Sequence, residues 1–258
     1  ISIDFSFKAY NNHSTKSGVI IILENVIMEI DLNDAKKLMD IEGLRKGFYT
    51  DKYFLNVQSI LQHLVEAGYE DLNHPLGDAS FDVSNANVEM QVFTRRPGKT
   101  LICGLNFALA CLKFCAGHWD NDDFVDTSDE LNIWAVDEGS LVGYSGDPAE
   151  VTPILRIHGR YKEFAINETL MLGYLSRASR VATNVYQLLV AANGKPLLFF
   201  PARYDLPEVQ SLDGYAYATA IVYYNQEYST NLKPFISTDA QGVLIDAKGG
   251  GTIPHAAI

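Results

Sequence analysis

The chain has 258 residues, 47% of them hydrophobic and 20% charged, which is typical of a globular protein and excludes a disordered one. Acidic residues outnumber basic residues by 32 to 20, and the net charge of −12 argues against nucleic acid and anionic membranes as partners. The apolar runs are too short to cross a bilayer, and an odd number of cysteines, three, favours free thiols, so we expect a cytoplasmic protein.

The N-terminal segment, residues 1–46, is an extension that we assign to no known domain. It contains a strand pattern over residues 18–30 and a helix pattern over residues 31–40, with an Asp or Asn available as N-cap. A better marked helix follows over residues 50–68, with Thr50 and Asp51 as candidate caps and apolar residues at helical spacing. We expect this amphipathic helix to cover a sheet.

The next part of the chain combines short strands with one apolar helix. The helix pattern covers residues 104–117, and the acidic segment 121–130 has the composition of a solvated loop. Strand patterns cover residues 88–95, 131–136, 141–144 and 154–157. We therefore predict an α/β sandwich domain over residues 47–158.

The remaining residues, 159–258, alternate between helix and strand patterns. A long helix is predicted from Asn167 to a C-cap at Asn193-Gly194, followed by a strand at 196–200, a helix at 207–220 and a strand at 242–246. Strand, helix and strand at this spacing predict parallel crossover units, as in an α/β barrel. The predicted fold class is therefore α/β, with a sandwich domain followed by part of an irregular barrel.

Short motifs follow one another along most of the chain. They are Thr-Asp-Lys-Tyr-Phe-Leu at 50–55, Val-Phe-Thr-Arg-Arg-Pro-Gly at 92–98, Glu-Gly-Ser at 138–140, Ile-His-Gly-Arg-Tyr-Lys-Glu-Phe at 157–164, Ser-Arg-Val-Ala-Thr at 179–183 and Gly-Thr-Ile-Pro-His-Ala at 251–256. In this order they resemble the nicotinate phosphoribosyltransferase family, most closely its archaeal-type branch. The resemblance implies transfer of phosphoribose from phosphoribosyl pyrophosphate to nicotinate, with Mg²⁺ as cofactor and ATP as co-substrate. It also implies a barrel of which this sequence lacks the C-terminal part.

The resemblance implies that the pyridine ring is held between two aromatic side chains. One is Phe200, and the other is Tyr53, contributed by the neighbouring subunit of a homodimer. Asp51 would lie near the base in the same interface, and the alternative role for it is helix N-cap. Without the resemblance, core packing is the usual role of aromatic residues at strand ends and on apolar helix faces.

Arginine side chains are the candidates for binding phosphate groups. Arg203 follows a predicted barrel strand, where a guanidinium group can bind phosphate oxygens in bidentate fashion. Relatives have a second Arg and a His-Pro after this position, whereas this chain has Tyr204-Asp205-Leu206-Pro207. Arg95 and Arg96 end a strand at a Pro-Gly turn, and they either reach pyrophosphate in the partner's site or form a solvated surface pair.

Two further sites follow from the resemblance. Ser229-Thr230 resembles a stretch that recognises the nicotinate carboxylate, although turn chemistry explains the same residues. His255 occupies the position of the family's phosphorylated histidine, whose phosphorylation by ATP tightens substrate binding and whose hydrolysis drives the reaction. A neutral imidazole suits that role because it is nucleophilic, and a polar loop histidine is the alternative.

A metal site at Cys111, Cys115 and His118 is the weaker of two interpretations. These residues share one helical face, but the helix is otherwise apolar, so we predict core packing and no protein-bound metal.

Alternatives to the nicotinate enzyme remain open. In one alternative the base is nicotinamide or quinolinate. A pocket selective for the nicotinamide amide needs an acidic acceptor, and no carboxylate adjoins Ser229-Thr230. In the other, the chain is a non-catalytic subunit, or one that a second polypeptide complements, because the later barrel strands are absent from it and open strand edges are costly in water.

Overall fold

A computed structural model describes residues 18–23, 26–66 and 85–251. Within them the helices are α1 (Leu32–Lys36), α2 (Ile41–Arg45), α3 (Lys52–Glu66), α4 (Leu105–Cys115), α5 (Tyr161–Phe164), α6 (Glu168–Ala192) and α7 (Gln210–Tyr228). The strands are β1 (Gly18–Leu23), β2 (Val26–Asp31), β3 (Asn87–Phe93), β4 (Gly98–Leu101), β5 (Gly117–Asp120), β6 (Asp123–Asp126), β7 (Asn132–Ala135), β8 (Leu141–Tyr144), β9 (Pro153–Arg160), β10 (Leu198–Phe199) and β11 (Phe235–Ile236). Among these helices none combines the length and the apolar character that a membrane span needs.

The strands form several small sheets of mixed type. In the three-stranded sheet β9 lies between β3 and β7 and is antiparallel to both. β1 pairs with β2, β4 with β8 and β5 with β6, each antiparallel. β10 and β11 are parallel and are connected through α7, which confirms a strand, helix, strand crossover in this part of the chain. The fold is therefore α/β, and the described residues contain no closed barrel.

The first apolar cluster lies between the three-stranded sheet and two helices. Alternate residues of β9, among them Leu155 and Ile157, are buried because this strand has one face against α4. Leu112 of α4 and Met171 and Leu175 of α6 complete the same cluster. Burial of each such side chain contributes about 2 kcal/mol, so this contact fixes the first half of α6 against the sheet.

The second apolar cluster is built from the other half of α6, from α7 and from β11. Ala178, Ala182 and Leu189 of α6 face Tyr215 and Ala216 of α7 in this cluster. Small side chains let the two helices approach closely, and α7 is buried along most of its length. α6 has 25 residues and is roughly 37 Å long, so it contributes to both clusters.

Part of the N-terminal segment joins the second cluster. Ile30 and Ala35 are buried in it, and the Asp31 carboxylate accepts from the Asp34 backbone N–H at 2.8 Å, which caps α1 as predicted. The domain limits at residues 46 and 158 stay predictions.

Several predicted elements are confirmed with small changes in their bounds. The strand at residues 141–144 is β8, and the apolar helix at 104–117 is α4. The long helix has Glu168 in its first turn and ends at Asn193, whose φ of 51° is the left-handed conformation expected of a C-cap.

Three predicted elements are wrong. The predicted strand at residues 242–246 is absent, because Thr238 and Gln241 form a capping box that starts a 3-10 turn over Asp239–Gly242. The acidic segment 121–130 is not a loop, since it contributes β6 and a short 3-10 helix. The strand pattern over residues 18–30 is divided between the two antiparallel strands β1 and β2.

Candidate functional site

An arginine-lined cleft of about 900 Å³ lies between β3 and the first half of α6. One wall is the α6 face formed at four-residue intervals by Glu168, Leu172, Ser176 and Arg180. The opposite wall is β3 with the residues that follow it, and this wall ends at Arg95 and Arg96. We call this feature the arginine cleft, because all three arginines that line it are exposed to solvent.

The two adjacent arginines point along different parts of the cleft, as expected for neighbouring residues after a strand. The Arg95 guanidinium lies 5.6 Å from the centroid of the Phe93 ring. Arg96 donates through one Nη to the Asn184 Oδ1 on α6 at 3.3 Å, which bridges the two walls. The pair is exposed and lines the cleft, so both alternatives of the sequence analysis stay open.

Asp51 and Tyr53 lie at the other end of this α6 wall. The Asp51 backbone N–H donates to the Thr169 hydroxyl at 3.1 Å, and that hydroxyl donates to the Asp51 carboxylate at 3.3 Å. Tyr53 is 57% exposed and packs against the Phe54 ring. Desolvation, followed by the nearby carboxylates of Glu168 and Asp51, raises the pKa of Tyr53. Asp51 and Tyr53 thus lie beside the first turn of α6, whose Glu168 lines the arginine cleft.

The residue before Asp51 has a role other than the predicted cap. The Thr50 hydroxyl is buried and donates to the Ile166 backbone carbonyl at 2.6 Å. This bond fixes the start of α3 to the segment that precedes α6. Glu168, in the first turn of α6, has its pKa raised by burial.

A second group of site residues lies at the C-terminal end of the parallel pair β10 and β11. Phe200 follows β10 directly and is 47% exposed, and the Arg203 guanidinium lies 5.0 Å from its ring centroid. Ligands of α/β proteins bind at this edge, beyond the carboxyl ends of parallel strands. The structure therefore brings Phe200 and Arg203 together, so that a partly exposed aromatic ring lies beside a cation.

An ion-pair network that the sequence analysis missed fixes the loop that contains Arg203. Arg177 of α6 donates through Nε and Nη to both carboxylate oxygens of Asp213 on α7, at 2.8 and 2.7 Å. The same guanidinium is 2.9 Å from Asp205 in the loop after β10. Asp205 is one of the positions at which the chain departs from the resemblance, and that departure was the available signal. The network therefore ties the loop to two helices.

The glycine run that precedes the histidine motif lies beside β11. The Gly250 N–H donates to the Ile236 carbonyl and the Gly249 N–H to the Asp239 carboxylate, both at 2.8 Å. A Cβ on Gly249 would lie 2.8 Å from the backbone of Thr238, so only glycine allows this approach. The run thus begins at the same sheet edge as Phe200, and His255 itself lies outside the described residues.

Ser229 and Thr230 lie elsewhere. Ser229 ends α7 with a φ of 51°, and the Thr230 hydroxyl donates to Asn225 Oδ1 at 2.8 Å. The other end of α7, where Thr238 donates to Gln210 at 2.8 Å, is roughly 27 Å away. The contacts of Ser229 and Thr230 are those of a turn at the end of α7, and their role in binding the nicotinate carboxylate stays a prediction.

Cys111 and Cys115 of α4 lie in the protein interior, whereas His118 lies on β5 and is exposed, so the three do not share one helical face. Cys111 and Cys115 are buried, and burial raises the pKa of both thiols, that of Cys115 to about 11. The Nδ1 of His118 lies 2.8 Å from the buried carboxylate of Glu163. Core packing therefore describes the two cysteines, and His118 is an exposed histidine paired with Glu163.

Comparison with known proteins relates the chain to phosphoribosyltransferases. Residues 76–179 match the family model of the quinolinate phosphoribosyl transferase N-terminal domain. This segment includes every residue that lines the arginine cleft except Arg180. The match does not single out the archaeal-type nicotinate branch that the motifs suggested.

Solved structures show the same fold. Nicotinate-nucleotide pyrophosphorylase from Pyrococcus furiosus aligns with a TM-score of 0.59 and 24% identity, covering 84% of this chain and 44% of that protein. Human nicotinic acid phosphoribosyltransferase aligns with a TM-score of 0.54 and 21% identity, covering 80% of this chain and 39% of that protein. The chain therefore spans less than half the length of either protein.

Proposed function

We propose that the chain is a phosphoribosyltransferase that converts nicotinate and phosphoribosyl pyrophosphate into nicotinate mononucleotide and pyrophosphate. The observation that carries the proposal is the arginine cleft, which lies almost wholly in the segment that matches the phosphoribosyltransferase domain family. A phosphoribosyl donor is strongly anionic, and exposed guanidinium groups are the side chains best suited to its phosphates.

Each group has a role in the proposed reaction. Phe200 supplies an aromatic face for the pyridine ring, and Tyr53 of the neighbouring subunit supplies the second face. The ring nitrogen forms a bond to the anomeric carbon while the bond from that carbon to pyrophosphate breaks, and pyrophosphate leaves with the electron pair. Arg203, with Arg95 and Arg96 of the neighbouring subunit, stabilises the charge on the leaving group. Arg177 and Asp205 position the loop that contains Arg203.

ATP coupling through His255 is also part of the proposal, with phosphorylation of the imidazole preceding transfer. Magnesium is a requirement that the resemblance implies. In the parts of the chain described above, no group of three His, Cys, Asp or Glu side chains is placed to bind a metal ion, and no step is assigned to magnesium.

Quinolinate is the second candidate base, favoured by the name of the matching domain family. A non-catalytic or complementing subunit is the alternative from another class.

A product assay tests the activity and the base. The full chain is incubated with phosphoribosyl pyrophosphate, Mg²⁺ and one of nicotinate, quinolinate or nicotinamide, with and without ATP, and nucleotides are separated chromatographically. We expect nicotinate mononucleotide from nicotinate, with stimulation by ATP that His255→Ala loses and that the exposed His63→Ala keeps. If only quinolinate gives product, quinolinate replaces nicotinate as the proposed base. If no base gives product, the complementing subunit is favoured.

A subunit-mixing experiment tests the shared pocket. Tyr53→Ala and Phe200→Ala are each expected to lose most activity, because each removes one face of the ring site. Random mixing after dissociation should restore about a quarter of the wild-type activity, since half of the dimers are then mixed and each has one intact site. Recovery that stays at the level of the separate variants would contradict a pocket built from two subunits.

A further inference from the structure

The third arginine of the cleft, Arg180, was not a candidate in the sequence analysis. It lies on α6 one turn before Asn184, the residue that binds the Arg96 guanidinium. Residues four apart on a helix have neighbouring side chains. The Arg180 and Arg96 side chains therefore approach the same end of the cleft from its two walls, with the exposed Ser176 one turn further along.

These cations have no carboxylate partner among the described residues. The ion pairs found there involve other groups, and none of them includes Arg95, Arg96 or Arg180. Glu168 is the one carboxylate among the described residues that line the cleft. It lies three turns of α6 from Arg180, roughly 18 Å along the axis. At that distance physiological salt screens most of its charge.

The balance of charge indicates what kind of ligand the cleft takes. The lining has three guanidinium groups and one carboxylate, in a protein whose net charge is −12. Such a local excess of positive charge attracts anions, and forked guanidinium donors suit phosphate oxygens. A ligand with one negative charge would leave most of the excess unbalanced, whereas a pyrophosphate group has enough charge and enough oxygens for more than one arginine.

We infer that Arg180 and Arg96 form a binding subsite for a pyrophosphate group at this end of the arginine cleft. The inference deepens the proposed function, because pyrophosphate is the leaving group of the proposed reaction, but it concerns binding alone. It adds Arg180 to the residues that recognise the anionic substrate.

Direct titration of the full chain with sodium pyrophosphate, in magnesium-free buffer, tests the inference. Arg180→Gln is expected to weaken binding about tenfold, the effect of losing one charge-assisted contact. Arg180→Lys should restore part of the loss, because lysine keeps the charge without the fork. Lys195→Gln, which removes an exposed charge just after the same helix, is the matched control and should change binding less than about twofold.

Inorganic phosphate and quinolinate are titrated in parallel. If Arg180→Gln and Lys195→Gln weaken pyrophosphate binding equally, the effect comes from the loss of one positive charge anywhere nearby, and the inference is overturned. Tighter binding of quinolinate, lost in Arg180→Gln, would overturn it in favour of a dicarboxylate. The proposed function is tested separately by the product assay. If the wild-type chain forms the nucleotide but Arg180→Gln binds pyrophosphate as tightly as wild type, only this inference is wrong. If pyrophosphate binding depends on Arg180 but no nucleotide forms, only the proposed function is wrong.

Discussion

Gly214→Ala is expected to lower the free energy of unfolding by about 3 kcal/mol, at the upper end of the cost of overpacking. Gly214 lies in the buried first half of α7, where a Cβ would overlap the backbone carbonyl of Gln241. Neither group can move away easily, because Gln241 is itself buried and accepts from the backbone of Ser237 and Thr238. Urea unfolding followed by circular dichroism measures the loss.

Gly173→Ala in α6 is the matched control for this substitution. Gly173 is a helical glycine as well, but it is exposed and a Cβ there would meet no atom within 4 Å. Alanine should therefore raise the free energy of unfolding by about 0.5 to 1 kcal/mol, through its better helix propensity. If the Gly214→Ala protein is as stable as the Gly173→Ala protein, α7 does not approach the backbone of Gln241 as closely as described.

Arg177→Leu is expected to cost about 3 kcal/mol of stability, because it leaves the carboxylate of Asp213 unpaired in the interior. Asp213 is 2% exposed, and both of its oxygens accept from Arg177. The Arg177 side chain is 35% exposed, so the cost falls at the lower end of the range for buried pairs.

Two other variants separate the buried half of the network from the loop. Arg177→Leu with Asp213→Asn should regain much of the lost stability, since no buried charge remains. Asp205→Asn should cost less than about 1 kcal/mol, because that ion pair is partly exposed. If the loop positions Arg203 as proposed, Asp205→Asn raises the KM for phosphoribosyl pyrophosphate more than it lowers kcat. A stable Arg177→Leu protein would contradict the network.

Sequence reasoning was most accurate where the signal was local. The end of α6 at Asn193 follows from cap chemistry, and the contact of Phe200 with Arg203 follows from their spacing beside a strand. The predicted strand at 242–246 failed although Thr238 and Gln241 form a capping box that the sequence displays. The apolar residues at 243–245 favour a strand, but the polar capping box sets the local conformation.

The missed residues depend on contacts that are distant in sequence. Arg180 is one of several exposed residues on α6, and its role depends on which face of the helix lies opposite β3. The partnership of Arg177 with Asp205 and Asp213 requires the loop after β10 to fold back over two helices. Neither fact has a local pattern, so no inspection of periodicity would have found it.

The sharing of α6 between both apolar clusters has a mechanical consequence. Because each half of α6 packs in a different cluster, we expect a movement of the helix at the arginine cleft to change its packing against α7 as well. Arg177 lies on α6 between the residues that pack in the two clusters, and it forms an ion pair with Asp205 in the loop that contains Arg203. Because Arg177 on this helix also pairs with Asp205, we expect anion binding in the cleft and the position of the Arg203 loop to be coupled through α6.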